Sequence, residues 1–248
     1  MRKITTAFLF LLLLFHNSNS YAKNYSESKI VSETGDCNKN EPCLSIVIKS
    51  LKLDKTIKNN SKINEYIKNE ALSMFEPEKI VSKEISEAVE KIKKEHKELY
   101  KEKNSSPVLG MWSYMFNSEL IYQSKDYVTI KIDEDTFTGG AHPNHFVVYT
   151  TFDLKTGKIL KLNDLTSKLP LILQKGEKIF RDNNEMKLGT KLNDYGFWFE
   201  NNKFRLTENF GITNSSIIFF YNNYDIAPYS MGSYEVVLDR KLFNKISP

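Results

Sequence analysis

Glycine and proline are scarce, at 10 and 7 of 248 residues, so fibrous and low-complexity classes are excluded. Cysteine is scarcer still: Cys37 and Cys43 stand alone, and with no histidine nearby this C-x5-C pair makes a poor metal site. Neither charge sign dominates. Thirty-five Lys and Arg against 31 Asp and Glu leave a formal charge of +4, which gives no electrostatic footprint for nucleic acid. No apolar run is long enough to cross a bilayer, which takes about 20 residues for a core about 30 Å thick. A G-x-S-x-G elbow, a Walker loop and a G-x-G-x-x-G turn are all absent, so nucleophilic and nucleotide-dependent chemistry lack their usual carriers. What the chain does have is aromatic residues: 16 Phe, 13 Tyr and 2 Trp. With 40% hydrophobic and 27% charged residues it reads as a soluble globular protein of one large domain or two small ones.

The N-terminus reads as a secretory signal peptide over residues 1–22. Arg2 and Lys3 form the basic end and Ala7 to Phe15 the apolar core. Ser20-Tyr21-Ala22 sets small residues at −3 and −1 of a cleavage point. Export places Cys37 and Cys43 in an oxidising compartment, where an even pair points to a disulfide, with free thiols or a redox pair as the alternatives. So small a loop stabilises by only about 2 kcal/mol.

Along the mature chain, residues 23–42 read as a polar tail. Leu44, Ile46 and Ile48 then alternate on one face of a strand. Ile63, Ile67, Ala71 and Met74 recur at helical spacing behind the candidate caps Asn60 and Ser61. Glu76-Pro77 breaks that helix. A second carries Val81, Ile85, Ala88, Ile92 and Leu99 through about Lys103, with His96 expected on its solvated side. From Pro107 the period falls to two. Strands are expected around 112–116, 127–132, 146–152 and 158–162. A helix from Asp164 to Phe180 follows, with Pro170 near its start, then strands at 204–206, 210–213, 217–221 and 234–238 and a short helix over 240–246. Consecutive strands joined by short turns imply an α+β fold, a mainly antiparallel sheet with helices packed on one face.

Two segments stand out chemically. Thr138-Gly139-Gly140-Ala141-His142-Pro143-Asn144-His145 joins two strands just after Asp133, Glu134 and Asp135. It is open to three readings: a structural loop in which His142 bonds backbone groups, a ligand-contact loop, or a metal site of His142, His145 and a carboxylate. The second is the aromatic stretch from Phe219 to Tyr234, where Tyr224 and Tyr229 fall in a loop rich in Asn, Pro and Gly. Rings there either pin the loop or present a rigid surface to a sugar or protein.

These residues carry a resemblance. Gly139-Gly140-Ala141-His142, Phe152-Asp153-Leu154-Lys155-Thr156-Gly157-Lys158, Leu162-Asn163-Asp164-Leu165 and Tyr224-Asp225-Ile226-Ala227-Pro228-Tyr229 with Gly232 are similar to a bacterial extracytoplasmic module of largely unassigned function. That module occurs in RsiV-type lysozyme-sensing anti-sigma factors and beside the catalytic domain of some peptidoglycan deacetylases. The Cys loop and strand at 37–51 with the helix at 61–75 resemble its N-terminal companion domain. The resemblance implies residues 23–140 as the companion region and 141–248 as the RsiV-like domain, packed as one body. The transmembrane and sigma-binding segments of the anti-sigma members and the deacetylase catalytic domain have no counterpart here.

The expectation is therefore a periplasmic or secreted bacterial protein, more binder than enzyme, that recognises a lysozyme-like protein or a cell-wall glycan. Its binding residues are His142, Asn144, His145, Tyr224 and Tyr229; no catalytic residue, cofactor, metal, nucleic acid or membrane span is expected. The alternative is a small envelope hydrolase using His142, His145 and a nearby carboxylate.

Overall fold

The computed structural model describes residues 24–37, 39, 41–100, 110–187 and 189–246. The expected leader over 1–22, the end of the second helix at Lys103 and the change of period at Pro107 lie outside these residues. Among the described residues, eight strands in two sheets and four α-helices make an α+β fold whose main sheet is mostly antiparallel.

The first sheet runs β1 (Tyr25–Thr34), β2 (Cys43–Leu53), β3 (Met111–Gln123), β4 (Tyr127–Thr138) and β5 (Asn144–Asp153), in that spatial order. Only β2 and β3 are parallel. A parallel pair needs a crossover, supplied by α1 (Asn60–Ser73) and α2 (Ile85–Leu99). Both helices lie on one face of the sheet. Leu44, Ile46 and Ile48 of β2, Phe116 of β3 and Val128, Ile130 and Ile132 of β4 close on Ile63, Ile67, Ala88 and Ile92. Each Leu, Ile, Val or Phe among them contributes about 1.5–3 kcal/mol of burial. Cys37 and Cys43 are disulfide-bonded, with their Cα atoms 5.2 Å apart.

The second sheet runs β6 (Phe210–Ile212), β7 (Ser216–Tyr221) and β8 (Tyr234–Asp239), all antiparallel. Helix α3 (Leu162–Leu165) precedes α4 (Leu169–Asn183), which packs on β8. Phe180 of α4 is fully buried among Phe197, Phe199 and Phe204, at ring-centroid distances of 4.9, 5.4 and 5.5 Å. Such aromatic pairs add about 0.5–1.5 kcal/mol beyond the area they bury.

Several expectations are corrected. Residues 25–34, read as tail, form edge strand β1; its sequence is mostly polar because only Tyr25, Ile30 and Ser32 are partly buried while the other seven positions, Lys29, Val31 and Glu33 among them, face solvent. His96 is buried, not solvated. It follows Val89 and Ile92 around the same helical face, and Nε2 lies 2.8 Å from the Gly110 carbonyl oxygen. Val81 and Leu99 are exposed instead. The turn before α2 is held by Glu76, whose carboxylate accepts from the Val81 and Ser82 amides, and these bonds push its pKa down to about 2. Neither Asn60 nor Ser61 caps α1, which starts after Asn59 in a left-handed conformation, φ 58°. Residues 158–162 form no strand beyond one bridge between Phe152 and Ile159. The helix expected from Asp164 breaks in two, since a continuous helix would drive the Pro170 ring into the Thr166 carbonyl. Residues 204–206 join no ladder, and 240–246 hold only a 3-10 turn at Arg240–Leu242.

Candidate functional site

The two sheets meet along β5, the outer strand of the first. Val147 sits mid-strand, and two asparagines from the second half of the chain take its outward backbone groups. Asn222 Oδ1 accepts from the Val147 amide at 2.7 Å, and Asn222 Nδ2 donates to the Val147 carbonyl at 3.0 Å. Asn209 Nδ2 donates to that same carbonyl at 2.7 Å while its Oδ1 accepts from the Tyr149 amide at 2.7 Å. A backbone edge is thereby sealed by side-chain amides in place of another strand. Close packing completes the seal. A Cβ on Gly211 of β6 would come within 2.6 Å of Tyr149 Cδ1 and 3.0 Å of Thr129 Cγ2.

This seam sets the loop 222–232 over the turn between β4 and β5. The turn needs Gly139 at φ 87°. Past it, the His142 ring lies flat on Tyr229, with centroids 3.7 Å apart and planes 17° from parallel. His142 Nε2 is 3.2 Å from the Tyr224 hydroxyl, and Nδ1 is 3.0 Å from the Pro143 carbonyl oxygen. Tyr229 also donates to that carbonyl, at 3.1 Å. With Nδ1–H donating to the Pro143 carbonyl, Nε2 accepts from the Tyr224 hydroxyl, and each group in the network has a partner. Tyr224 is half exposed and holds φ 71°, a conformation that costs an L residue about 1–2 kcal/mol. The turn around it is fixed by the Asn222 amide donating to Asp225 Oδ2 at 2.7 Å.

His145 lies apart from this stack. It opposes Asp135 across β4 and β5, with Nδ1 2.8 Å from Asp135 Oδ1. Asn144, the first residue of β5, is exposed. The structure thus brings His142, Tyr224 and Tyr229 into one cluster and holds His145 beside it on a separate partner. The two imidazoles share no carboxylate, and among the described residues no three His, Cys, Asp or Glu side chains are grouped to hold a metal. The chemistry on offer is contact: flat rings with hydroxyl and imidazole edges.

The most perturbed carboxyl near the site points away from it. Glu134, next to Asp135, faces α1 on the opposite side of the sheet, and burial, then the nearby Glu70 carboxylate, push its pKa up to about 7. Its Oε1 is buried without a hydrogen-bond partner. Sequence reasoning missed Asn209 and Asn222, whose partners lie 60 to 75 residues away, and Trp198. Trp198 is exposed, and its amide donates to the Ile226 carbonyl at 2.7 Å, beside the same loop.

Two sheets locked along one edge, with a loop-borne aromatic cluster over the seam, define a two-part α+β scaffold. The comparisons with known proteins also fall in two parts. Residues 37–145 match the family model described as Deacetylase PdaC, and residues 158–241 match DUF3298, described as a protein of unknown function. This is the companion-domain arrangement that the resemblance implies. A member of the DUF3298 family from Bacteroides fragilis has a similar structure, with TM-score 0.64 and 20% identity over 88% of this chain and 90% of that one. So does a DUF3298 family protein from Pseudomonas aeruginosa, with TM-score 0.62 and 19% identity over 89% and 93%. No curated protein matches the chain. The PdaC-like segment and the disulfide point to an extracellular or envelope location, and no helix among the described residues is long and apolar enough to cross a membrane.

Proposed function

We propose that this protein is an exported, non-enzymatic binding module of the bacterial envelope, periplasmic or secreted after loss of residues 1–22. It recognises a lysozyme-like protein or a cell-wall glycan through His142, Asn144, His145, Tyr224 and Tyr229. The companion region 23–140 and the domain 141–248 act as one rigid body. The observation that carries this reading is the His142–Tyr229 stack with Tyr224 at its edge. Its rings are tied across the seam to one another and to the Pro143 carbonyl and still reach solvent, so little side-chain entropy is lost when a ligand covers them. Near-neutral charge argues against capture by long-range electrostatics.

The hydrolase reading draws support from one contact, the His145–Asp135 pair, which orients an imidazole as a general base requires. A pull-down of the mature protein against lysozymes and peptidoglycan fragments, followed by titration, separates the two. Stoichiometric retention without product is expected. Turnover abolished by His145→Ala would replace the binding reading with the hydrolytic one.

A further inference from the structure

The first sheet has a second edge, and it is dressed differently. No strand among the described residues pairs with the outer side of β1, the ten-residue strand Tyr25–Thr34, which contains no proline. The registers across the sheet run Val31, Val47, Met115, Asp135, His145 in a single row on the face opposite α1 and α2. Val31 and Met115 are exposed at 51% and 46%, so an apolar ribbon leads from this edge toward the candidate site.

We propose that β1 pairs antiparallel with β1 of a second copy of this chain, about a two-fold axis at Val31, joining two five-stranded sheets into one. The charges along β1 are self-complementary about this axis. With Val31 opposite Val31, the axis sets Lys29 against Glu33 of the second copy and Glu33 against Lys29 of the second copy, all exposed on the same face. Opposite charges directly across a strand pair stabilise it and like charges oppose it. Moving the axis one residue to Ile30 brings Glu27 against Glu33, and moving it to Lys29 brings Lys29 against itself. An axis at Ser28 again matches charges, Glu27 with Lys29, but leaves Glu33 and Thr34 beyond the paired stretch. The axis at Val31 alone joins the two apolar ribbons end to end through the valines.

The test is light scattering on the secreted full-length protein across a dilution series, with thermal melts on each variant. The wild type forms a concentration-dependent dimer. Glu33→Lys creates two Lys–Lys pairs at once and raises the dissociation constant at least tenfold. The swap Lys29→Glu with Glu33→Lys restores opposite pairs and returns the constant to within about threefold of wild type. Three results overturn the proposal: a monomer at every concentration, a dimer indifferent to Glu33→Lys, or a swap that fails to restore it. Both positions are exposed, so the melts are expected to coincide, surface changes rarely costing more than about 0.5 kcal/mol.

Discussion

The two edges of the first sheet solve the same problem in different ways. At β5 the outward amide and carbonyl of Val147 are taken by Asn222, with Asn209 sharing the carbonyl, and Gly211 brings the second sheet against Tyr149. At β1 no strand among the described residues pairs with the outer side, and most of its side chains are exposed and polar or charged. The sealed edge is where the chain can build a site, because an edge held by buried hydrogen bonds gives the loops above it a fixed base. The open edge keeps its backbone available to another strand.

The largest effect is expected at the sealed edge. Asn222→Ala leaves the buried Val147 amide without its partner, which costs about 1–3 kcal/mol. Chemical denaturation measures it, and unchanged stability would mean that the asparagine ornaments a seam held by packing alone. Next comes a prediction about pH. The Glu134 carboxyl titrates near 7 in the folded chain against an ordinary value of 4.5. The unfolded chain therefore loses this proton first as pH rises, so the folded state loses stability between about pH 4.5 and 7 and levels off above, a change on the order of 2 kcal/mol. Glu134→Gln should flatten that slope; a melt series in which the variant keeps it would assign the slope to other groups. Reduction of the disulfide follows, at about 2 kcal/mol or less for so small a loop. It is read as the shift in melting temperature with and without reductant. Smallest is Val31→Ala at the open edge, within about 0.5 kcal/mol of wild type in the monomer.

How far the sequence anticipates this molecule also divides at the seam. Where apolar residues alternate, as in Leu44-Ser45-Ile46-Val47-Ile48 or Phe146 to Phe152, strands form as the pattern predicts, because one face must be buried. The same logic fails at β1, where almost nothing is buried and Tyr-Ser-Glu-Ser-Lys looks like tail. It fails again at 158–162, which meets β5 in only one bridge, Phe152 with Ile159, and forms no ladder. His96 was legible in principle, since it shares a helical face with Val89 and Ile92, but the charges around it point to solvent. At the site, the glycine turn and the tyrosine loop are marked by composition. Their union is not: the stack of His142 on Tyr229 spans 87 residues of chain, and the asparagines that enforce it look like ordinary loop residues until β5 is seen to be an edge.

The central claim is that the rings over the sealed edge serve recognition more than stability. It is tested most directly by a binding titration and a thermal melt on Tyr224→Ala, Tyr229→Ala and His142→Ala, using whichever lysozyme or glycan fragment the pull-down retains. The account predicts melts close to wild type and a loss of about 2 kcal/mol of binding for the central tyrosine, roughly thirtyfold in affinity. Melts that collapse while the remaining folded fraction binds normally would contradict it and make the cluster a pin for the loop.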